Sequence, residues 1–281
     1  MSQIRDPRSK TASGAGFWEQ FGSLLVAVAI ALAVRSFVVE PFRIPSESML
    51  PTLLVGDHLF VSKFTYGVKV PFLGTRLPAV RAPRRGDVVV FTVARDPHDP
   101  SRICPVDRCP DFPTEEFVKR IVGLPGETLE VRPDGTVRID GRLLETDEDG
   151  SLFTNGVGTE LAVRDECNGR CSYQVLDDRR LSGPVRRVQV EPGRYFMLGD
   201  NRDHSNDSRY WGTVRAHEFK GPALVLYWSW NYNDGWLALL NPLTWLHAEK
   251  RWGRFGEGLS CEPTEGAECA RTAPAPSHGP D

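Results

Sequence analysis

A serine stands in the run Pro45-Ser46-Glu47-Ser48-Met49-Leu50-Pro51-Thr52, a short distance beyond an uncharged apolar stretch that ends at Val34. A hydroxyl held there can attack a peptide bond if a base elsewhere in the chain reaches it. The chain has six histidines, none in a context that suggests a triad, and it contains neither a G-x-S-x-G elbow nor an S-x-x-K run. The candidate base is therefore a lysine, and Glu116-Phe117-Val118-Lys119-Arg120-Ile121-Val122-Gly123 supplies one. As a strand, this run places Phe117, Lys119 and Ile121 on one face, so the ammonium emerges among apolar neighbours. Free lysine titrates near ~10.4, and only a few molecules in ten thousand carry the lone pair at neutral pH. Burial lowers that value by ~3 to 5 units, enough to make Lys119 a usable base for Ser48. The same periodicity also describes an ordinary strand lysine whose stem packs while its amine reaches water.

A third polar segment, Gly199-Asp200-Asn201-Arg202-Asp203-His204-Ser205-Asn206-Asp207-Ser208-Arg209-Tyr210-Trp211-Gly212, follows an apolar strand. Asp203, Ser205 and Asp207 have the alternate spacing of a calcium loop, but Ser208 stands where the turn glycine belongs and Val214 where the distal glutamate belongs. The other readings are a solvated turn, or a polar scaffold in which Ser205 orients the lysine amine while Asp200, Asp207, Arg202 and Arg209 form ion pairs.

The elements that must position these residues read mostly as strands. His58–Ser62, Asp87–Thr92, Phe117–Val122, Thr128–Arg132, Thr136–Ile139, Arg186–Val190, Tyr195–Leu198 and Ala223–Trp228 are rich in β-branched and aromatic residues and bounded by Gly and Pro. Pro133-Asp134-Gly135 and Ile139-Asp140-Gly141-Arg142 are hairpin turns, since Gly supplies the positive φ that they need. An antiparallel all-β fold follows. The polar stretch from about Gly126 to Glu191 reads as a second sheet region inserted between two parts of a core. From about Ser260 onward the Pro-, Ala-, Glu- and Thr-rich composition predicts a flexible tail.

Phe21 to Val34 carries no charge and follows Arg5, Arg8 and Lys10. Extended from Phe17 through Val39, it reaches the roughly 20 residues of a membrane helix. Ala31-Leu32-Ala33 has the small-x-small form of a cleavable export signal, but it lies inside the apolar run rather than beyond it. The basic tail keeps the N-terminus cytoplasmic and sends Ser48 outside. Trp228 through Leu246 is aromatic but interrupted by Asn231, Asn233, Asp234, Gly235 and Pro242, which argues against a second span. It reads either as a loop dipping into the outer membrane surface or as an aromatic core patch. The six cysteines fall as close pairs, Cys104 with Cys109, Cys167 with Cys171 and Cys261 with Cys269, which suits short-range disulfides better than zinc. With a formal net charge of -3 and scattered Lys and Arg, the 281-residue chain offers no basic surface for nucleic acid.

Together these segments resemble the type I signal peptidases, the membrane-anchored Ser/Lys proteases also called leader peptidases. From about Ser36 to Lys220 the chain carries five blocks in the family's order. They are Glu40-Pro41-Phe42-Arg43-Ile44-Pro45-Ser46-Glu47-Ser48-Met49, then Asp57-His58 to Lys63 with Tyr66-Gly67, then Arg85-Gly86-Asp87-Val88-Val89-Val90-Phe91, then Lys119-Arg120-Ile121-Val122-Gly123-Leu124-Pro125-Gly126-Glu127, and finally Gly199-Asp200-Asn201-Arg202-Asp203.

The resemblance implies Ser48 as nucleophile, Lys119 as general base, Ser205 as a hydrogen-bond partner of the lysine, and an oxyanion site made by the Ser48 N–H and the Ser46 hydroxyl. It implies shallow pockets lined by Phe42, Ile44, Pro45, Met49, Leu53 and Val118 that admit small side chains, as Ala-x-Ala cleavage sites require. Arg120 with Asp200 and Asp207 with Arg209 become structural pairs. Glu47 replaces a frequent Gly and His204 a common Asn, and one anchor stands where many Gram-negative members have two.

The expected architecture is two antiparallel β-sheet domains after one transmembrane helix: tail 1–16, anchor 17–39, catalytic core 40–125 and 192–257, inserted β cap 126–191, and flexible tail 258–281. The expected protein is a single-pass enzyme of the cytoplasmic membrane, catalytic on the outer face, that cuts signal peptides from exported preproteins without metal or cofactor. Membrane lipid and the export machinery are its other expected partners. A self-cleaving Ser/Lys repressor-type protease would need a DNA-binding head where this chain has an apolar helix. An inactive anchored β-domain would not need Ser48, Lys119 and Ser205 intact.

Overall fold

A computed structural model describes residues 15–67, 78–148, 150–168, 171–181, 183–231 and 249–261. The chain is mostly β-sheet with few helices. Seven strands follow one another across the main sheet in the order Val39–Arg43, Asp57–Ser62, Phe219–Asn231, Val88–Arg95, Thr114–Gly123, Arg194–Leu198 and Val214–Arg215. Two short strands, Glu249–Lys250 and Ile103–Pro105, extend it to nine. Every pairing in it is antiparallel.

The unbroken apolar run Val88-Val89-Val90-Phe91 is explained by burial on both faces. Val89, Phe91 and Val93 pack with Ile121, Met197, Trp211 and Phe219. Val88 and Val90 pack with Ile44, Met49, Leu53, Leu59 and Leu226. A strand covered on both sides has no solvent face to mark with polar residues.

All eight strands expected from the sequence form, with ends moved by a few residues. The stretch between the strands Thr114–Gly123 and Arg194–Leu198, which pair with each other, builds two further four-stranded sheets among the described residues, where the sequence reading expected an inserted sheet region. One comprises Thr128–Val131, Val137–Ile139, Arg142–Leu143 and Arg186–Gln189. Its Asp140-Gly141 turn has positive φ at both residues (50° and 79°), the two-residue hairpin geometry that Asp-Gly favours. Leu129, Val131 and Val137 pack it against Val122, Phe196 and Leu198 of the main sheet. The other comprises Glu145–Asp147, Leu152–Thr154, Glu160–Cys167 and Ser172–Asp177. Its two longest strands escaped the sequence reading because their buried residues include Arg164 and Glu166, whose charges hide the apolar alternation.

The N-terminal helix runs Ala15–Phe37. Among the described residues no helix is long and apolar enough to cross a membrane. The uncharged run alone, Phe21 to Val34, is short for a bilayer, and the span expected over 17–39 draws on side chains at 17–20 that lie outside the described ones.

The cysteine pairing needs correction. Cys104 bonds Cys109 as expected, but Cys171 bonds Cys261 across 90 residues rather than its neighbour Cys167, which is itself disulfide-bonded. Chain proximity misled here because Cys261 is carried back onto Cys171, Tyr173 and Val175 by the last described segment. Residues 258–261 are consequently not part of a loose tail, since Leu259 is buried with Met49 and Leu53. The expected lipid-dipping loop falls largely on 232–246, outside the described residues. Of its flanks, Trp230 is buried and Trp228 meets the Trp252 ring edge-on at 5.2 Å.

Candidate active site

Ser48 sits in a single 3-10 turn, Glu47–Met49, between two paired strands. The base of this loop is closed by Ile44 N–H donating to Asp57 O and Gly56 N–H donating to Ile44 O. Ile44, Met49 and Leu53 anchor it in the main core, and Leu50 packs against Leu161, Val163 and Leu176 of the neighbouring small sheet. A loop pinned on both sides can hold a hydroxyl at a fixed point.

Lys119 lies opposite Val89 in the sheet and is 3% exposed. Its Nζ donates to Ser48 Oγ at 2.6 Å although 71 residues separate them. Burial draws its pKa down from 10.5 to about 8, Asp207 and Asp200 pull the other way, and Arg209 adds to the lowering. An amine titrating there is uncharged in about a tenth of molecules at pH 7, against a few in ten thousand for a free lysine.

The polar segment after the strand Arg194–Leu198 locks this pair together. Arg120, next to the lysine, grips Asp200 with two hydrogen bonds, Nε to Oδ1 at 2.8 Å and Nη2 to Oδ2 at 2.7 Å, and its guanidinium lies 3.9 Å from the Tyr173 ring centroid. Asp200 Oδ2 also accepts from Thr52 Oγ1 at 2.6 Å, which links the lysine strand to the serine loop. Asn201 donates from its backbone to Ser48 O at 3.2 Å and from Nδ2 to Glu47 O at 3.1 Å. Asp207 accepts from Arg209 and from Gly199 N–H, and caps the short helix Ser208–Trp211. Gly199 has to be glycine, because a Cβ there would lie 2.2 Å from Ser205 Oγ and 2.5 Å from Ser48 O.

Ser46 Oγ lies 3.4 Å from Ser48 Oγ. The expected bond between Ser205 and Lys119 is not formed. Ser205 Oγ is buried against Gly199 without a hydrogen-bond partner, while the amine is turned to Ser48. The calcium reading has no donor set, since Asp203 Oδ2 accepts from Asp178 N–H and Asp207 is occupied by Arg209. Among the described residues, no group of three or more His, Cys, Asp or Glu could hold a metal ion.

A cleft of about 610 Å³ opens beside Ser48 and Lys119, walled by Phe42, Ile44, Pro45, Met49 and Val118. Leu53 lies in the core behind that wall with no exposed surface. Arg95, Glu115, Glu116 and His204 give the cleft a polar margin. Glu47 turns toward the neighbouring small sheet, its carboxylate accepting from Asn155 Nδ2 at 3.4 Å.

Thr52, Asn201 and Gly199 were given no role by the sequence reading, although all three lie within or beside its motifs. Glu166 was missed altogether. It is 1% exposed and accepts hydrogen bonds from Arg202 Nη2 and, at 3.0 Å, from Tyr173 Oη.

Residues 17–228 match the family model described as "Signal peptidase, peptidase S26". The chain is 36% identical over 217 residues to signal peptidase I of Pseudomonas aeruginosa, covering 72% of this chain and 69% of that one. It is 32% identical over 240 residues to signal peptidase I of Rickettsia massiliae, covering 77% and 83%. Among solved structures it is similar to a signal peptidase I from Enterococcus faecalis V583, with 28% identity and a TM-score of 0.29 over 51% of this chain and 98% of that one.

Proposed function

The chain belongs to the signal peptidase, peptidase S26, family of serine peptidases that remove signal peptides, and we propose that it does so with Ser48 as nucleophile and Lys119 as general base. The observation that carries this reading is the 2.6 Å contact between a hydroxyl and a desolvated amine. When Lys119 is uncharged, its lone pair takes the Ser48 proton as Oγ attacks the scissile carbonyl. The resulting oxyanion is held by the Ser48 N–H and the Ser46 hydroxyl. Collapse expels the amine of the mature protein, which receives the proton from Lys119, and leaves the signal peptide as an acyl-serine. Water, deprotonated by the same amine, then releases it. The apolar wall formed by Phe42, Ile44, Pro45, Met49 and Val118 favours small side chains beside the cut, as at Ala-x-Ala sites.

The helix Ala15–Phe37 is proposed as a single membrane anchor with the N-terminus cytoplasmic and the cleft on the outer face. Its 23 residues amount to about 35 Å at 1.5 Å per residue, of which the uncharged run Phe21 to Val34 is by itself short for a bilayer. Phe21, Leu24, Leu25, Val26, Val28, Ile30, Leu32 and Val34 are exposed around its circumference, a distribution suited to lipid. The disulfides agree with an oxidising compartment. Membrane lipid and the export machinery are the partners this placement brings near.

The test is cleavage of a labelled preprotein by detergent-solubilised protein, with sequencing of the new N-terminus. Ser48→Ala should lose turnover while still binding signal peptide. Lys119→Arg should be as inactive as Lys119→Ala, because a guanidinium does not give up its proton. Appreciable cleavage by the arginine form would refute the base assignment.

A further inference from the structure

The residues that follow the family match fold back onto the serine loop. Glu249–Lys250 pairs with the end of the strand Phe219–Asn231. Gly256 N–H donates to Leu226 O, Leu226 N–H to Glu257 O, and Leu259 N–H to Leu224 O. Leu259 packs with Ile44, Met49 and Leu53, and Cys261 is bonded to Cys171. This strap carries Arg254, whose Nη2 donates to Thr52 O at 2.7 Å and to Asp57 Oδ2 at 2.9 Å. Asp57 has no exposed surface and also accepts from Leu54 N–H and Ser229 Oγ.

Thr52 is therefore held from two directions. Its hydroxyl is tied to Asp200, and through Asp200 to Arg120 on the lysine strand. Its carbonyl is tied to Arg254 on the strap. We propose that Arg254 is a positioning residue for the cleavage reaction: by fixing the Thr52–Asp57 turn it sets where Ser48 Oγ stands relative to Lys119 Nζ. This inference rests on the Ser48/Lys119 reading. Arg254 touches neither of those residues nor the cleft, so it acts on the transition state through geometry and not through substrate binding.

The test uses the full chain in detergent with a labelled preprotein. Arg254→Ala should lower kcat about tenfold with KM changed less than about twofold, the pattern of an interaction that matters only once the reacting atoms engage. Arg254→Lys should recover most of the loss, because both bonds are made by one nitrogen that an ammonium can replace. Val137→Ala, in the core of a different sheet, serves as a stability control and should lower the melting temperature without the kcat loss. The proposal is overturned if Arg254→Ala keeps wild-type kcat, if KM rises in proportion, if lysine restores nothing, or if the control loses kcat equally. Full activity in Arg254→Ala beside a dead Ser48→Ala would sink this inference alone, whereas an active Ser48→Ala would sink the reading beneath it.

Discussion

Replacing Lys119 by Met should abolish cleavage and make the protein more stable at neutral pH. The amine is buried, and its pKa falls from 10.5 in the open chain to about 8 in the fold. Below about pH 8 both states carry the proton, and folding bears the whole penalty of burying a charge. Between about 8 and 10.5 the unfolded chain binds a proton that the native state has released, so wild-type stability rises with pH by about 1.4 kcal/mol per unit. Over that window the gain is about 3 kcal/mol, complete above 10.5. Methionine has no proton to exchange and shows no such rise. Urea unfolding of both proteins from pH 7 to 11 measures the difference, in which the other titrating groups cancel. The wild type should gain about 3 kcal/mol on the variant as pH rises. A stability difference that stays constant across the range would mean that the amine is solvated in the folded protein, and the argument for its basicity would fail.

The acid limb of kcat/KM should report the same group with an apparent pKa of about 8, so that the rate at pH 6 is about one-hundredth of the plateau. A limb near 6 or near 10 would point to another base. Gly199→Ala would bring a methyl 2.5 Å from Ser48 O, and moving that backbone should reduce kcat/KM about a hundredfold or more; near-normal turnover would show that the loop tolerates displacement. Glu166→Gln leaves the buried Arg202 without its counter-charge and should destabilise the fold by about 3 to 5 kcal/mol. Thermal melts reading a loss below about 1 kcal/mol would show that the pair is dispensable.

The residues of the proposed reaction were legible through the company of five blocks in one family order, since alternation set Lys119 on the face of Phe117 but described an ordinary strand lysine equally well. What periodicity could not show is how such runs are held together. Thr52 and Asp200 are 148 positions apart, and their bond follows only from the folded path. The strands Glu160–Cys167 and Ser172–Asp177 were hidden for a related reason. Arg164 and Glu166 look like surface residues until Asp177 and Arg202 are seen to neutralise them. Composition marked the end of the chain as loose from about Ser260, yet Leu259 and Cys261 are fastened to partners that lie far earlier in sequence.

The Cys171–Cys261 bond joins positions ninety residues apart, and it closes only where thiols are oxidised. The bond thereby staples the segment that carries Arg254 to the small sheet against which Leu50 of the serine loop packs.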